Sequence, residues 1–386
     1  RYDYFKVYIP AQSAPAGRWV PARSFDEIPV VTWNNVVPRL GVAFDVFGTG
    51  RTVMKGSASQ YMSVEAAGVA QSVNPMFRST NRCAWRDLNG DNAPQDAEIS
   101  QCQGFSGGVS TTYDPDLRRP FNREYSIGVQ HEVARNVGMS VMYFRRENRD
   151  LRGTFNRAVP TDSYVPVTIA NPIDGAPLTI YNQSAATAGR QDNLLANSSK
   201  LDNDYNGVEV AVQRRFSQTG SFMAGYHYGK NLGRISTAGD LNDPNNDIFA
   251  NGAVGNDEPH QFKLSGNYLL PGKITASGFF NIRSGQPRQR QLVVSRTMVP
   301  SLIRASQTVR IEPNNTERYA RVGLLDLRFG RVFKSGTLRF EPFVDLYNLT
   351  NNNTILTDVT TIGSSLGVVS STVNPRIVKF GAKFDF

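Results

Sequence analysis

Apolar and polar residues alternate one by one through most of this 386-residue chain. Helical spacing of 3.6 is sustained nowhere over a long window, whereas period-two runs bounded by Gly, Pro, Asn and Ser recur from end to end. About twelve strands follow from that rule, near 1–8, 38–47, 51–61, 122–133, 137–147, 204–216, 220–232, 260–270, 273–283, 320–333, 336–349 and 376–386. Every second connection is a tight turn: Gly48-Thr49-Gly50, Ala134-Arg135-Asn136, Ser217-Gln218-Thr219, Pro271-Gly272 and Lys334-Ser335. The intervening links run to about 25–60 residues, lengths uncommon in compact soluble domains. Short turns on one rim and long loops on the other are the asymmetry of an outer-membrane barrel.

The two faces differ sharply. In the last strand Val378, Phe380, Ala382, Phe384 and Phe386 oppose Lys379, Gly381, Lys383 and Asp385. Before it, Leu338, Phe340, Pro342, Val344 and Leu346 oppose Arg339, Glu341, Asp345 and Tyr347, and Phe262, Leu264, Gly266 and Tyr268 oppose Gln261, Lys263, Ser265 and Asn267. An antiparallel sandwich with one buried and one wet face also alternates. Against it stand the aromatics that close the apolar rows, such as Phe44, Phe47, Tyr143, Tyr228, Tyr268, Phe329 and Phe333, which match interfacial girdles. A central Lys or Arg on a lipid face costs about 2–4 kcal/mol, and none is central to these rows. His131 and Arg331 lie on them beside turns, where a polar tip reaches headgroups.

Composition narrows the class further. The chain is 40% hydrophobic, too apolar for disorder, and no apolar run approaches the roughly 18 residues of a spanning helix. A low mean hydropathy does not exclude the membrane, because barrel strands average lipid-facing with polar residues. The expected fold is all-β, an antiparallel transmembrane β-barrel. Arg1-Tyr2-Asp3-Tyr4-Phe5 reads as a strand with neither initiator Met nor signal peptide, and residues upstream are expected.

Several stretches are similar to TonB-dependent outer-membrane receptors of the Oar-like group: Pro38-Arg39-Leu40-Gly41-Val42-Ala43-Phe44-Asp45 running into Phe47-Gly48-Thr49-Gly50-Arg51, then Tyr205-Asn206-Gly207-Val208-Glu209-Val210, Pro342-Phe343-Val344-Asp345-Leu346-Tyr347-Asn348-Leu349 and the aromatic terminus Lys383-Phe384-Asp385-Phe386. The resemblance implies a 22-stranded barrel around an N-terminal plug, with a TonB box that engages an energised inner-membrane complex. Neither plug nor box is recognisable in this sequence, so it implies that 1–386 is the C-terminal portion of such a wall, in the outer membrane of a Gram-negative bacterium. Phe384 and Phe386 resemble the signal read by the outer-membrane assembly machinery; a last strand that merely ends in an aromatic is the plainer reading.

The long loop over 62–121 carries candidate chemistry. Asp87, Asn89, Asp91, Gln95 and Glu98 stand at positions 1, 3, 5, 9 and 12 of a Ca2+ loop, with the Ala93 carbonyl at 7. Asn92 occupies the sixth position, where glycine is usual, and tolerates the left-handed conformation. An acidic solvated loop with Asx turns fits the same residues. Cys83 and Cys102 bracket the loop; passage through an oxidising compartment favours a bridge, worth about 3 kcal/mol in the chain-entropy account, over free thiols or a metal pair.

No catalytic motif is present. His131, His227 and His260 fall on separate strands, without a Ser or Asp pattern, phosphate loop, HExxH or GxSxG, and no enzyme is expected. The +9 net charge accompanies expected lumen residues of both signs, Arg339, Glu341, Asp345, Lys379, Lys383 and Asp385 among them. Such a wall suits a polar plug or solute, and the basic excess suits anionic headgroups of lipopolysaccharide or an anionic ligand rather than nucleic acid. Arg288 and Arg290 read as a solvated loop base. The leading expectation is a receptor segment for energy-coupled uptake of a scarce solute through long capturing loops. The rivals are a self-contained twelve-stranded pore or phospholipase and a surface adhesion protein.

Overall fold

The computed structural model of the chain describes residues 1–17, 21–65, 68–71, 73–76, 80–100, 105–106, 111–214, 220–236, 238–255 and 257–386. Its main element is a thirteen-stranded antiparallel sheet. Eleven of those strands form the wall: β1 (Arg39–Asp45), β2 (Thr52–Met62), β3 (Phe121–Ala134), β4 (Val137–Arg149), β5 (Asn203–Arg214), β6 (Gly220–Arg234), β7 (His260–Leu270), β8 (Ile274–Arg283), β9 (Val322–Arg331), β10 (Leu338–Tyr347) and β11 (Ile377–Asp385). Asn251–Ala253 and Phe333–Ser335 add two short strands at its margins. Each wall strand pairs with its neighbours in sequence, and β1 and β11 form the open edges of the sheet among the described residues.

The expected strand at 1–8 departs from this scheme. Tyr2–Ile9 does form a strand, but it pairs with Ile28–Val36, a strand the sequence reading passed over, in a separate two-stranded ladder. Among the described residues eleven long strands therefore build the wall, and the expected strand at 1–8 lies outside it.

One rim carries the tight connections. Gly48, Gly50, Asn136, Gly272, Lys273 and Gly336 all adopt positive φ there, the backbone geometry that a twist-matched hairpin requires. The turn Ser217-Gln218-Thr219 lies outside the described residues. The opposite rim carries the connections 63–120, 150–202, 235–259, 284–321 and 348–376.

Cross-strand register fixes the two faces. Ile127, Tyr143, Val208, Tyr228 and His260 stand along one row on one side of the sheet. On the other side Glu209, His227 and Gln261 face one another in succession. The apolar rows are not packed against a second layer: Leu40 is 72% exposed, Phe44 60% and Phe380 80%. A sandwich would have buried them, so the exposure removes that rival. The buried core lies instead in the long loops, where Leu178, Ile180, Leu292, Val294, Val309 and Ile311 pack together. Their hairpins, Tyr164–Ala170 with Pro177–Gln183 and Gln291–Ser295 with Ser306–Arg310, fold two long connections into one body.

Candidate functional site: the polar wall and its loop cap

The polar face is held by ion pairs between neighbouring strands. Arg328 on β9 donates to Asp345 on β10 through Nε and Nη2, at 2.5 and 2.8 Å, and its guanidinium lies 4.3 Å from the Phe343 ring centre. Tyr347 adds an O–H bond to the same carboxylate, which is 2% exposed. A carboxylate so buried is stable only because both oxygens are occupied. Further along, Arg339 lies opposite Asp385, Glu341 opposite Lys383 and Asp345 opposite Lys379. Arg339 reaches Glu341 at 3.2 Å and Lys383 reaches Asp385 at 3.3 Å. The six charges singled out in the sequence thus share one face and oppose one another in sign across the strand pair, a surface that holds water and polar groups. On β5 and β6, Tyr205 meets His227 Nε2 at 2.7 Å with the two rings nearly parallel. Gly207 and Gly229 leave the space those rings occupy.

Above the wall, the loop cap is knitted by arginines. Arg304 donates to Asp243 at 2.5 Å, to Gln183 and Tyr164 at 3.1 Å, and to Gln307 at 2.7 Å. Three long connections meet at that one side chain. Burial, reinforced by the Asp243 charge, pushes the Tyr164 hydroxyl up to about 12. Arg288 holds Asp358 in a bidentate pair and also reaches Glu317, while Arg290 pairs with Glu312. The Arg288 hydrogen bonds hold the Asp358 carboxyl below the usual range. Burial alone would raise Glu312, yet its bonds to Arg290 bring it below that range. Arg288 and Arg290 are therefore anchors of the cap, not the solvated loop base the sequence suggested. Asn245 closes the assembly, accepting from the Tyr181 N–H and donating to its carbonyl.

Local hydrogen bonds organise the 87–98 loop. Asp87 accepts the N–H groups of Gly90 and Asn92, and Asp91 accepts that of Ala93. These lower both carboxyl pKa values, through Asn92 first for Asp87 and Ala93 first for Asp91. The Asn89 and Gln95 amides donate to Asp91, and Asn92 takes φ 55°, the left-handed geometry expected of it. Glu98 accepts from Leu88 N, Gln95 N and Trp85 Nε1, which lowers its pKa, chiefly through Leu88. Among the described residues no three His, Cys, Asp or Glu side chains are gathered as metal ligands. The loop as folded is a set of interlocked Asx turns. Among the described residues no cysteine is free, and Cys102, the expected partner of Cys83, lies outside them.

The histidines are scattered as the sequence indicated: His131 meets Thr52 at 2.8 Å and His260 meets Tyr226 at 2.7 Å. At the terminus Phe384 packs on Phe340, ring centres 4.8 Å apart, while Phe386 stays 96% exposed on the apolar face. Sequence reasoning missed Arg304, Asp243, Tyr164, Asp358 and Glu312. Only the short apolar alternation at 291–295 and 306–311 signalled that the loops had structure of their own.

An antiparallel wall with a bare apolar face, a charged opposite face, hairpins on one rim and folded loops on the other is an outer-membrane β-barrel wall. The chain belongs to the outer membrane beta barrel domain family, whose sequence model matches residues 8–288. The protein is thus a component of the Gram-negative outer membrane. No curated protein matches it. Among solved structures it is similar to the outer membrane transporter YddB from Escherichia coli, with 12% identity and a TM-score of 0.54, covering 91% of this chain and 41% of that one. It is also similar to the siderophore receptor PiuA from Acinetobacter baumannii, with 12% identity and a TM-score of 0.51, covering 99% and 39%. The ferripyoverdine receptor of Pseudomonas aeruginosa gives 12% identity and a TM-score of 0.50, covering 95% and 35%. The chain spans 35–41% of the length of these structures. At such identity they establish the fold, and the fold agrees with the barrel part of a receptor that the sequence resembles.

Proposed function

We propose that this chain is wall and outer cap of a TonB-dependent receptor that captures a scarce solute at the cell surface and admits it by energy-coupled transport. The observation that carries the reading is the pairing of a bare apolar face with a mixed-charge polar face under a preassembled loop cap. Such a wall accommodates a polar plug, and such a cap presents a fixed surface to a ligand. On this reading the work is binding and gated passage. The partners on this reading are the bilayer and lipopolysaccharide, a plug and the TonB complex, and the assembly machinery that reads Phe384 and Phe386.

The test compares wild-type and deletion strains by mass spectrometry of solutes removed from the medium. A class of solute depleted only by the wild type, with depletion abolished by a protonophore, is expected. Identical depletion profiles with lost surface adhesion would instead support the adhesion reading.

For the 87–98 loop we propose Ca2+ as a stabiliser, with Cys83 bridged to Cys102 beside it. Asn89 and Gln95 would turn their amide oxygens inward to join Asp87 and Asp91, and Glu98 would close the set on releasing Leu88 and Gln95. Trp85 beside Glu98 provides the probe. Terbium luminescence sensitised through Trp85 should titrate at about 0.1–1 mM, the range of weak extracellular sites. It should weaken at least tenfold in Asp87→Asn; absence of any sensitised emission contradicts the site.

A further inference from the structure

We propose that the outward face of β6–β9 carries a binding site for one anionic phospholipid of the periplasm-facing leaflet. The proposal rests only on the outward face lying in hydrocarbon, not on the identity of the solute.

The site is a notch in the lipid-facing surface. Gly266 on β7 and Gly278 on β8 are direct cross-strand partners, and both point outward. Phe222 pairs with Gly266 on one side and Leu327 with Gly278 on the other. Two adjacent strands therefore present no side chain at one height, between two large flanking groups. Above the pair stand Leu264 and Phe280, and below it Tyr268 and Ala276. The result is an apolar groove of about 420 Å³. At roughly 4.8 Å per strand its floor is about 10 Å across, wide enough for an acyl chain. Glycine weakens a strand interior and is tolerated where something else approaches the backbone closely. A Cβ at Gly266 would crowd Phe222 and one at Gly278 would crowd Leu327, so the floor stays at backbone level, and outward of it lies the hydrocarbon of the bilayer.

Position and charge select the occupant. Arg331, on the same face of β9, lies four residues beyond Leu327 toward the hairpin rim, about 14 Å along the strand. Half the hydrocarbon thickness is about 15 Å. A lipid whose phosphate sits at Arg331 thus lays the distal half of one chain in the notch. Arg331 is exposed, its guanidinium 4.9 Å from the Phe333 ring centre, and Lys273 in the adjoining turn is exposed too. Arg214, the cross-strand partner of Phe222, also lines the groove. The hairpin rim is the periplasmic one, so the cations face the phospholipid leaflet rather than lipopolysaccharide.

The test uses the full-length receptor reconstituted with phosphatidylglycerol spin-labelled near the end of one acyl chain. A motionally restricted component is expected in the wild type. Ala276→Phe, which adds a ring at a position lining the groove, should abolish the restricted component beyond that of ordinary boundary lipid. Arg331→Gln should keep it but lower the preference for phosphatidylglycerol over phosphatidylethanolamine about fivefold. Both variants are assayed after their heat-modifiable mobility shows a folded barrel. Equal restricted fractions in wild type and Ala276→Phe would overturn the proposal. So would a restricted fraction that disappears on dilution together with a dimer in native mass spectrometry, because the occupant would then be a second copy of the barrel.

Discussion

At Tyr164, Arg304 and Asp243 a single cluster joins three loops, and its chemistry is testable residue by residue. Burial holds Tyr164 neutral, raising its pKa from 10.0 to about 12. A group whose folded pKa exceeds its unfolded value supports the fold fully below the unfolded pKa, so this support is complete below pH 10 and fades as pH rises toward 12. Ultraviolet difference titration of wild type against Tyr164→Phe should show one tyrosine ionising near that upper value; a midpoint at the ordinary value contradicts the buried cluster. Asp243 is 2% exposed, and its removal leaves Arg304 without its carboxylate. Breaking a buried pair costs about 3–5 kcal/mol, but Arg304 is 37% open to solvent, so Asp243→Ala should destabilise the cap by about 2 kcal/mol. Hydrogen exchange over 164–183 and 291–311 should rise together in that variant; unchanged protection would show the cluster to be ornamental. The carboxylates shift the other way. Asp358 and Glu312 titrate below their ordinary values, so their contribution is present above about pH 4 and lost as pH falls further. Amide hydrogen exchange over 284–321, normalised to the intrinsic exchange rate at each pH, should rise as pH is lowered through that window, and a pH-independent normalised rate would contradict the assignment.

Strands and loops differed in how far the sequence revealed them. Wall strands were legible because each spans the membrane alone, so its own period-two pattern records which side meets lipid: Phe262, Leu264 and Tyr268 against Gln261, Lys263 and Asn267. The ladder of Tyr2–Ile9 with Ile28–Val36 was misread because alternation marks a strand without naming its partner. Loop hairpins escaped notice for a different reason. Leu292 and Val294 are buried by Leu178 and Ile180, over a hundred positions away, and no local pattern encodes that meeting. In the 87–98 loop the Asn89, Asp91 and Gln95 side chains do meet, whereas Asp87 is turned to the Gly90 and Asn92 N–H groups and Glu98 to Trp85 and to peptide N–H groups, none of which the spacing specifies. Faces predict an asymmetric response to charge. Leu264→Arg, outward at mid-strand, should destabilise folding into lipid vesicles by about 2–4 kcal/mol, whereas Ser265→Arg on the polar face should cost little. Equal costs would mean the two faces are not lipid and water.

For the molecule as a whole, the wall, the cap and the acyl notch all presuppose one arrangement, in which alternate residues of each strand project into hydrocarbon. The arginine pairs of the polar face make sense only if water or a polar plug lies on the other side, and the exposed Phe380 and Leu40 make sense only if water does not reach them. Spin labels placed singly at 261–268 along β7 in the reconstituted protein measure this most directly, through accessibility to oxygen and to a water-soluble nickel chelate. Positions 262, 264, 266 and 268 should be reached by oxygen and shielded from nickel, with 261, 263, 265 and 267 showing the reverse or shielding from oxygen. Labels at 262, 264 and 268 shielded from both reagents, as inside a protein core, would contradict the account.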